Sequence, residues 1–198
     1  QYFTESRTTS SPNATIPAHR LIASGSEVDI DAVISAKGNG AITATIPDGA
    51  SAGGNKRGTR AVDLQVSRSS ATYVASGNHG VISGGAENAA SGNYGVVCGG
   101  WGNRSTASYS ATVGGLSNQA TASWASVGGG NGNIASGQYS TIPGGELNTA
   151  SEAHSFVGGG QGNTSSGTFS TISGGISNTS SGTGSAVGGG FGNRICSM

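Results

Sequence analysis

The sequence predicts an all-β fold, a β-solenoid or β-roll of eight 15-residue coils, and three observations carry that prediction. Asparagine recurs at one constant spacing, at Asn88, Asn103, Asn118, Asn133, Asn148, Asn163, Asn178 and Asn193. A branched residue stands six positions before each of them: Ile82, Val97, Thr112, Val127, Ile142, Val157, Ile172 and Val187. A Gly-Gly pair begins two residues after that, from Gly84-Gly85 through to Gly189-Gly190.

Fifteen residues are too few for a helix pair, and the units are rich in Gly, Ser and Thr, so each coil is built from short strands. In one unit, Tyr139-Ser140-Thr141-Ile142 is strand-like and Gly144-Gly145 supplies the turn. Asn148 either takes a left-handed conformation or caps the turn through its side chain, and Thr149-Ala150-Ser151 closes the coil as a second strand. Strands of stacked coils lie about 4.8 Å apart, which makes the repeats a rod section of roughly 38 Å with a ladder of Asn amides along it. Val127 and Ala135 point inward in their coil, as do their equivalents elsewhere. Such a core is thin. At about 25 cal/mol per Å2 of apolar burial against roughly 1.5 kcal/mol of entropy per ordered residue, a lone coil is marginal. The expectation is therefore that coils from several chains pack together, intertwined or side by side around a common axis.

Four segments follow: an extended or disordered lead over 1–20, a small β-rich cap over 21–73, the coils over 74–193 and a tail over 194–198. Seven of the nine basic and six of the nine acidic residues precede residue 74, which sets the N-terminal segment apart. Its strands are marked by alternation over Val28–Ile34, Ala41–Ile46 and Ala61–Val66, with a turn at Pro47-Asp48-Gly49. A solenoid needs such a cap to cover its first open edge.

With 9% charged residues and a formal net charge of zero, the chain has no electrostatic footprint for nucleic acid or an anionic membrane. The 38 glycines lack the every-third period of collagen. No stretch approaches the ~20 apolar residues of a membrane span, so membrane insertion is not expected. The chain opens on Gln1 with no basic-then-apolar leader, which suggests a fragment or a processed chain. Cys98 and Cys196 are separated by more than six coils and read as two free thiols, or as a Cys196 link between chains.

Chemistry is sparse. Glu146 and Glu152 are the only carboxylates in the repeats that could approach as a hydrolytic pair, and solubilising charge is the simpler reading. His79 and His154 share a column five coils apart, so no metal joins them within one chain. Glu27, Asp29 and Asp31 alternate on one strand face, a spacing for calcium or for edge protection. The cluster Lys56-Arg57-Gly58-Thr59-Arg60 reads as a solvated turn. Asn-x-Ser/Thr triplets begin at Asn13, Asn103, Asn163 and Asn178, and the last three coincide with the structural Asn column. No cofactor and no catalysis are implied.

Aromatic side chains are the binding candidates, because rigid rings stack on sugar faces at little entropic cost. His79, Tyr94, Tyr109, Trp124, Tyr139, His154 and Phe169 form one column that lapses to Gly184, and a column repeated in every coil packs on itself or on a neighbouring chain. Trp101 stands apart, in the column Ala86, Leu116, Asn131, Glu146, Gln161, Ile176 and Phe191, where an isolated large ring is exposed. The candidate ligand-binding residues are thus Trp101, Trp124, Tyr94, Tyr109 and Tyr139. A flat ice-binding face would need the column Val81, Val96, Ala111, Ser126, Thr141, Phe156, Thr171, Ala186, which is too irregular.

The run GNGAITATIPDGASAGGNKRGTRAVDLQVSRSSATYVASG over residues 38–77, followed by copies of the type SGGxxNxASGxYS, resembles modules of bacteriophage tail fibres and related virion fibres. The repeats are also similar to the heads of trimeric autotransporter adhesins, although the 15-residue unit with its Gly pair departs from their shorter S-V-A-I-G unit. The resemblance implies a homotrimeric virion fibre segment that is structural and adhesive, with a host cell-surface polysaccharide or protein receptor as partner. A bacterial surface adhesin head and a polysaccharide depolymerase tailspike are the alternatives.

Overall fold

The computed structural model describes residues 3–8, 18–23, 40–45, 48–50 and 54–196, and none of these is helical. The chain divides into two units, 1–35 and 36–198. In the first, β1 (Phe3–Thr8) pairs antiparallel with β2 (Ala18–Ala23), so a two-stranded ladder occupies much of the stretch read as an extended or disordered lead. The strand expected over Val28–Ile34 and the carboxylates Glu27, Asp29 and Asp31 lie outside the described residues, as do Ile46, Pro47 and the triplet at Asn13.

The second unit is a parallel β-solenoid. After β3 (Ile42–Thr43) and β4 (Val62–Asp63), each 15-residue unit contributes two strands of two residues, from β5 (Val81–Ile82) and β6 (Ala89–Ala90) to β19 (Ala186–Val187) and β20 (Arg194–Ile195). The first strands of the units continue β3 and β4 into one ten-stranded sheet, and the second strands form an eight-stranded sheet. A third side is a ladder of single bridges running Ser67, Ala86, Trp101, Leu116 and onward to Phe191. Register is strict, with Ser126 opposite Thr141 and Val127 opposite Ile142.

The strands are short because positive-φ residues bracket them. Tyr139, expected as the start of a strand, has φ 60°, so extended backbone begins only at Thr141. It occupies the third position of a four-residue turn closed by Ser140 N–H to Gly137 O at 3.0 Å. Gly145, with φ 98°, then turns the chain out of the strand.

Within each coil the second residue of each strand points inward. Ile82, Val97, Val127, Ile142, Val157 and Ile172 are fully buried, facing Ala90, Ala120, Ala135 and Ala150 from the other sheet. The exception in the branched column, Thr112, sits in a coil with a polar interior: its hydroxyl donates to Arg104 O at 3.0 Å, beside a Ser105–Ser110 hydroxyl pair at 3.0 Å. Burial is complete inside one chain, so association between chains has the outer columns to work with rather than the core.

Beside the apolar columns runs the Asn ladder. Asn133 N–H donates to Asn118 Oδ1 at 3.0 Å, and its own Oδ1 accepts from Asn148 N–H at 3.0 Å. Its Nδ2 donates to Gly129 O at 2.9 Å in the same coil and to Gly145 O at 2.8 Å in the next. Each Asn from Asn88 to Asn178 is fully buried. Of the two roles open to this residue, side-chain capping is the one used, and no Asn of the ladder has a positive φ. Gly130 is required for it: a Cβ there would lie 2.0 Å from Gly145 O and 2.8 Å from Asn133 Nδ2. Its neighbour Gly129 would meet nothing within 4 Å.

The ladder has a defined start. The register position before Asn88 is Tyr73, and the amide comes instead from Gln65, whose Oε1 accepts Asn88 N–H at 2.9 Å and whose Nε2 donates to Asn88 O and Tyr73 O at 2.8 Å each. In the segment Ala61–Val66 the polar alternate residues face in: Asp63 and Gln65 are buried while Leu64 and Val66 are exposed. Asp63 takes the position of Ile82 in the sheet and pairs with Arg57 Nε at 2.8 Å, with Arg68 Nη2 at 3.9 Å. Burial lowers the Arg68 pKa and the Asp63 charge opposes that shift. The apolar core thus ends in a hydrogen-bonded polar plug.

Replacing Asn133 with Ala strands an N–H and weakens the bonding of two carbonyls, at a cost of about 3 kcal/mol; urea unfolding should show a lower midpoint at unchanged slope. Gly130→Ala should destabilise by at least as much, whereas Gly129→Ala stays within about 1 kcal/mol. Equal effects of the two glycine substitutions would contradict this packing.

Candidate functional site: a stacked ring column and an aromatic–arginine cleft

Two arrangements place the rings singled out in the sequence. The first is the column His79, Tyr94, Tyr109, Trp124, Tyr139, His154 and Phe169. Consecutive rings are stacked, with centroids 4.6 to 5.5 Å apart and interplanar angles of 1 to 11°. The coil rise sets that spacing. Each ring sits on a residue with φ between 57 and 60°, a turn position that normally takes glycine. Left-handed backbone costs a side chain on the order of 1 kcal/mol, and a stacked pair returns a similar amount. Tyr94, Tyr109, Trp124 and Tyr139 therefore have both faces covered by neighbouring rings and present only their edges to solvent. A sugar cannot stack on them. Phe169 is different, because the next position is Gly184 and one of its faces has no ring upon it.

The second arrangement is a cleft of about 350 Å3 where the cap segment crosses the first coils. Trp101, 53% exposed, projects from the ladder of single bridges. Arg104 and Gln119 come from neighbouring rungs of the eight-stranded sheet, and Glu87 and Ser117 follow the bridge residues Ala86 and Leu116. The cap contributes Ser69 and Tyr73. Arg104 Nη2 donates to Tyr73 Oη at 3.0 Å, and its guanidinium carbon lies 4.9 Å from the Tyr73 ring centroid. Glu87, held at φ 61°, accepts from Ser69 Oγ at 2.7 Å. On the far side of the Tyr73–Arg104 pair is a second depression of about 330 Å3, lined by both residues and by Asn55, Thr72, Ser91 and Thr106. Of the five rings proposed from sequence, only Trp101 lines this cleft. Sequence reasoning missed Tyr73, Arg104 and Glu87; the lapse of the Asn column at Tyr73 was the available signal.

The remaining candidates do not converge. Glu146 lies on the bridge ladder and accepts from Gln161 Nε2 at 3.0 Å, and Glu152 follows one strand later in the coil. Among the described residues no cluster of His, Cys, Asp and Glu has the makings of a metal site. His79 and His154 are both members of the ring stack. Cys98 and Cys196 are exposed free thiols. In the basic cluster Arg57 is buried on Asp63, while Lys56 and Arg60 are exposed. Among the described residues no helix is long and apolar enough to cross a membrane. Compared with protein-family models and with curated proteins, the chain matches none.

The ring column yields a direct test at Gly184, where φ is 67° and a Cβ would meet nothing within 4 Å. Gly184→Ala and Gly184→Tyr incur the same backbone strain, but only the tyrosine extends the stack. Gly184→Tyr should be the more stable of the two by about 1 kcal/mol, read from thermal or denaturant unfolding.

Proposed function

We propose that this chain is a structural and adhesive fibre segment, resembling a phage tail fibre, that works in recognition of and attachment to a host cell surface. The observation that supports this most is the unbroken rod: the amide ladder runs from Gln65 to Asn193 without a missed rung, which suits a shaft that must hold its length outside the cell. The role is mechanical and adhesive rather than catalytic, since the carboxylates of the coils are spread over different columns. Its place is the virion fibre, and its ligand is a surface polysaccharide or protein.

A fibre of this kind gains avidity by repetition, so the chain is proposed to act as a homotrimer. The core needs no partner, and contact therefore falls to an apolar rib on the outer side of the rod. Ile176 and Phe191, neighbours on the ladder of single bridges, are 44% and 78% exposed, and Leu147, 58% exposed, stands one position after the same column two coils earlier. Large apolar groups in a row on a polar, Gly- and Ser-rich surface mark a contact site.

Light scattering coupled to size-exclusion chromatography should give a detergent-resistant mass near three times 19.1 kDa. The double variant Ile176→Lys, Phe191→Lys should fall to a single chain mass, and the trimer should compete with the parent particle for adsorption to host cells. A stable monomer at all concentrations would overturn the fibre reading. Turnover of capsule or lipopolysaccharide by the purified protein would replace it with a depolymerase.

A further inference from the structure

We infer that the Trp101–Arg104–Tyr73 cleft is a binding subsite for a neutral pyranose sugar, with the second depression holding the next residue of the same oligosaccharide. The inference rests on the attachment reading for its biological role, but its chemistry stands on the residues. A sugar ring has an apolar C–H face and a polar rim of hydroxyls, and it calls for a flat ring to stack on beside planar groups that donate and accept. Trp101 is an exposed ring outside the stacked column, and it lines the cleft. Around it stand the Arg104 guanidinium, the Glu87 carboxylate and the Gln119 amide.

Capacity for hydrogen bonds remains after the internal contacts are made. Arg104 spends one donor on Tyr73 Oη, and the other guanidinium N–H groups have no partner among the described residues. Glu87 accepts from Ser69 through Oε2 and keeps Oε1 free. A carboxylate opposite a guanidinium suits adjacent hydroxyls, one donating and one accepting, and each such bond is strengthened by the charge. The pair also cancels in charge. A sulfate or carboxylate on the ligand would approach Arg104 only at the expense of repulsion from Glu87, which is why the site is assigned to neutral sugars.

The site is preorganised. Arg104 is held against the Tyr73 ring, the backbone that carries Trp101 is fixed to the neighbouring rung through Gly115 O at 3.0 Å, and Glu87 has a left-handed backbone conformation. Little ordering is left to be done on binding. The two depressions share Tyr73 and Arg104 in their linings, and each has a volume at the lower end of small-ligand sites, about 300 Å3 upward. An oligosaccharide of two or three residues can drape over that pair with one ring on Trp101.

The test is an array of immobilised oligosaccharides, with neutral hexose and N-acetylhexosamine chains beside sialylated and sulfated ones, followed by titration calorimetry with each free oligosaccharide that is retained. Neutral oligosaccharides should bind the intact protein. Trp101→Ala should weaken that binding about thirtyfold and Glu87→Gln about tenfold, with unchanged melting curves, while Glu152→Gln binds as the parent does. Absence of any neutral ligand, retention of acidic glycans alone, or indifference to Trp101→Ala would overturn the assignment. Adsorption competition separates the two readings: competition without glycan binding leaves the fibre proposal and removes this one, and glycan binding without competition does the reverse.

Discussion

Everything in the solenoid depends on one buried amide per coil. From Asn88 to Asn178, the side chain of each ladder Asn accepts the backbone N–H of its counterpart one coil on and donates to two glycine carbonyls, one in its own coil and one in the next. A coil of this size has few apolar atoms to bury, so it cannot tolerate unpaired backbone groups in its interior. The amide pairs them and ties consecutive coils at a fixed rise. Once that rise is set, the strands, the single-bridge ladder and the stacked rings share it.

The ring column trades local strain for long-range order. Seven residues with positive φ and bulky side chains would be a burden in isolation. Stacked at the coil repeat, they become a second ladder on the outside of the rod, and the column lapses at Gly184. The same saturation that stabilises the column withdraws its ring faces from ligands. Trp101, with no ring on the adjacent rungs of its column, keeps the geometry that binding needs, and the cap places Tyr73 and Ser69 beside it.

The start of the solenoid is solved by imitation. Gln65 reproduces the amide that the Asn column lacks at Tyr73, and Asp63, paired with Arg57, puts charge where the branched column would continue past Ile82. Such a plug is costly to assemble and costly to break, since a buried carboxylate without its guanidinium is worse than an apolar end.

The period, the inward column of Val and Ile, the two strands per coil and the Asn ladder were legible in the sequence, because each depends on a residue type repeated in register and periodicity survives translation into space. The left-handed ring position was not legible, since propensity reserves it for glycine and only stacking between coils makes a tyrosine acceptable there. Nor was the cap. The spacing from Val62 to Val81 is not the 15-residue period, so Asp63 and Gln65 align with Ile82 and Asn88 only once the chain has looped. The cleft belongs to the same class: Tyr73, Glu87, Trp101 and Arg104 lie on different coils and different columns, and their meeting is decided by where the cap crosses the first rungs. Repetition along the chain therefore determined the rod by itself, whereas the tertiary structure alone decided its end and its site, because these are made where the repetition stops.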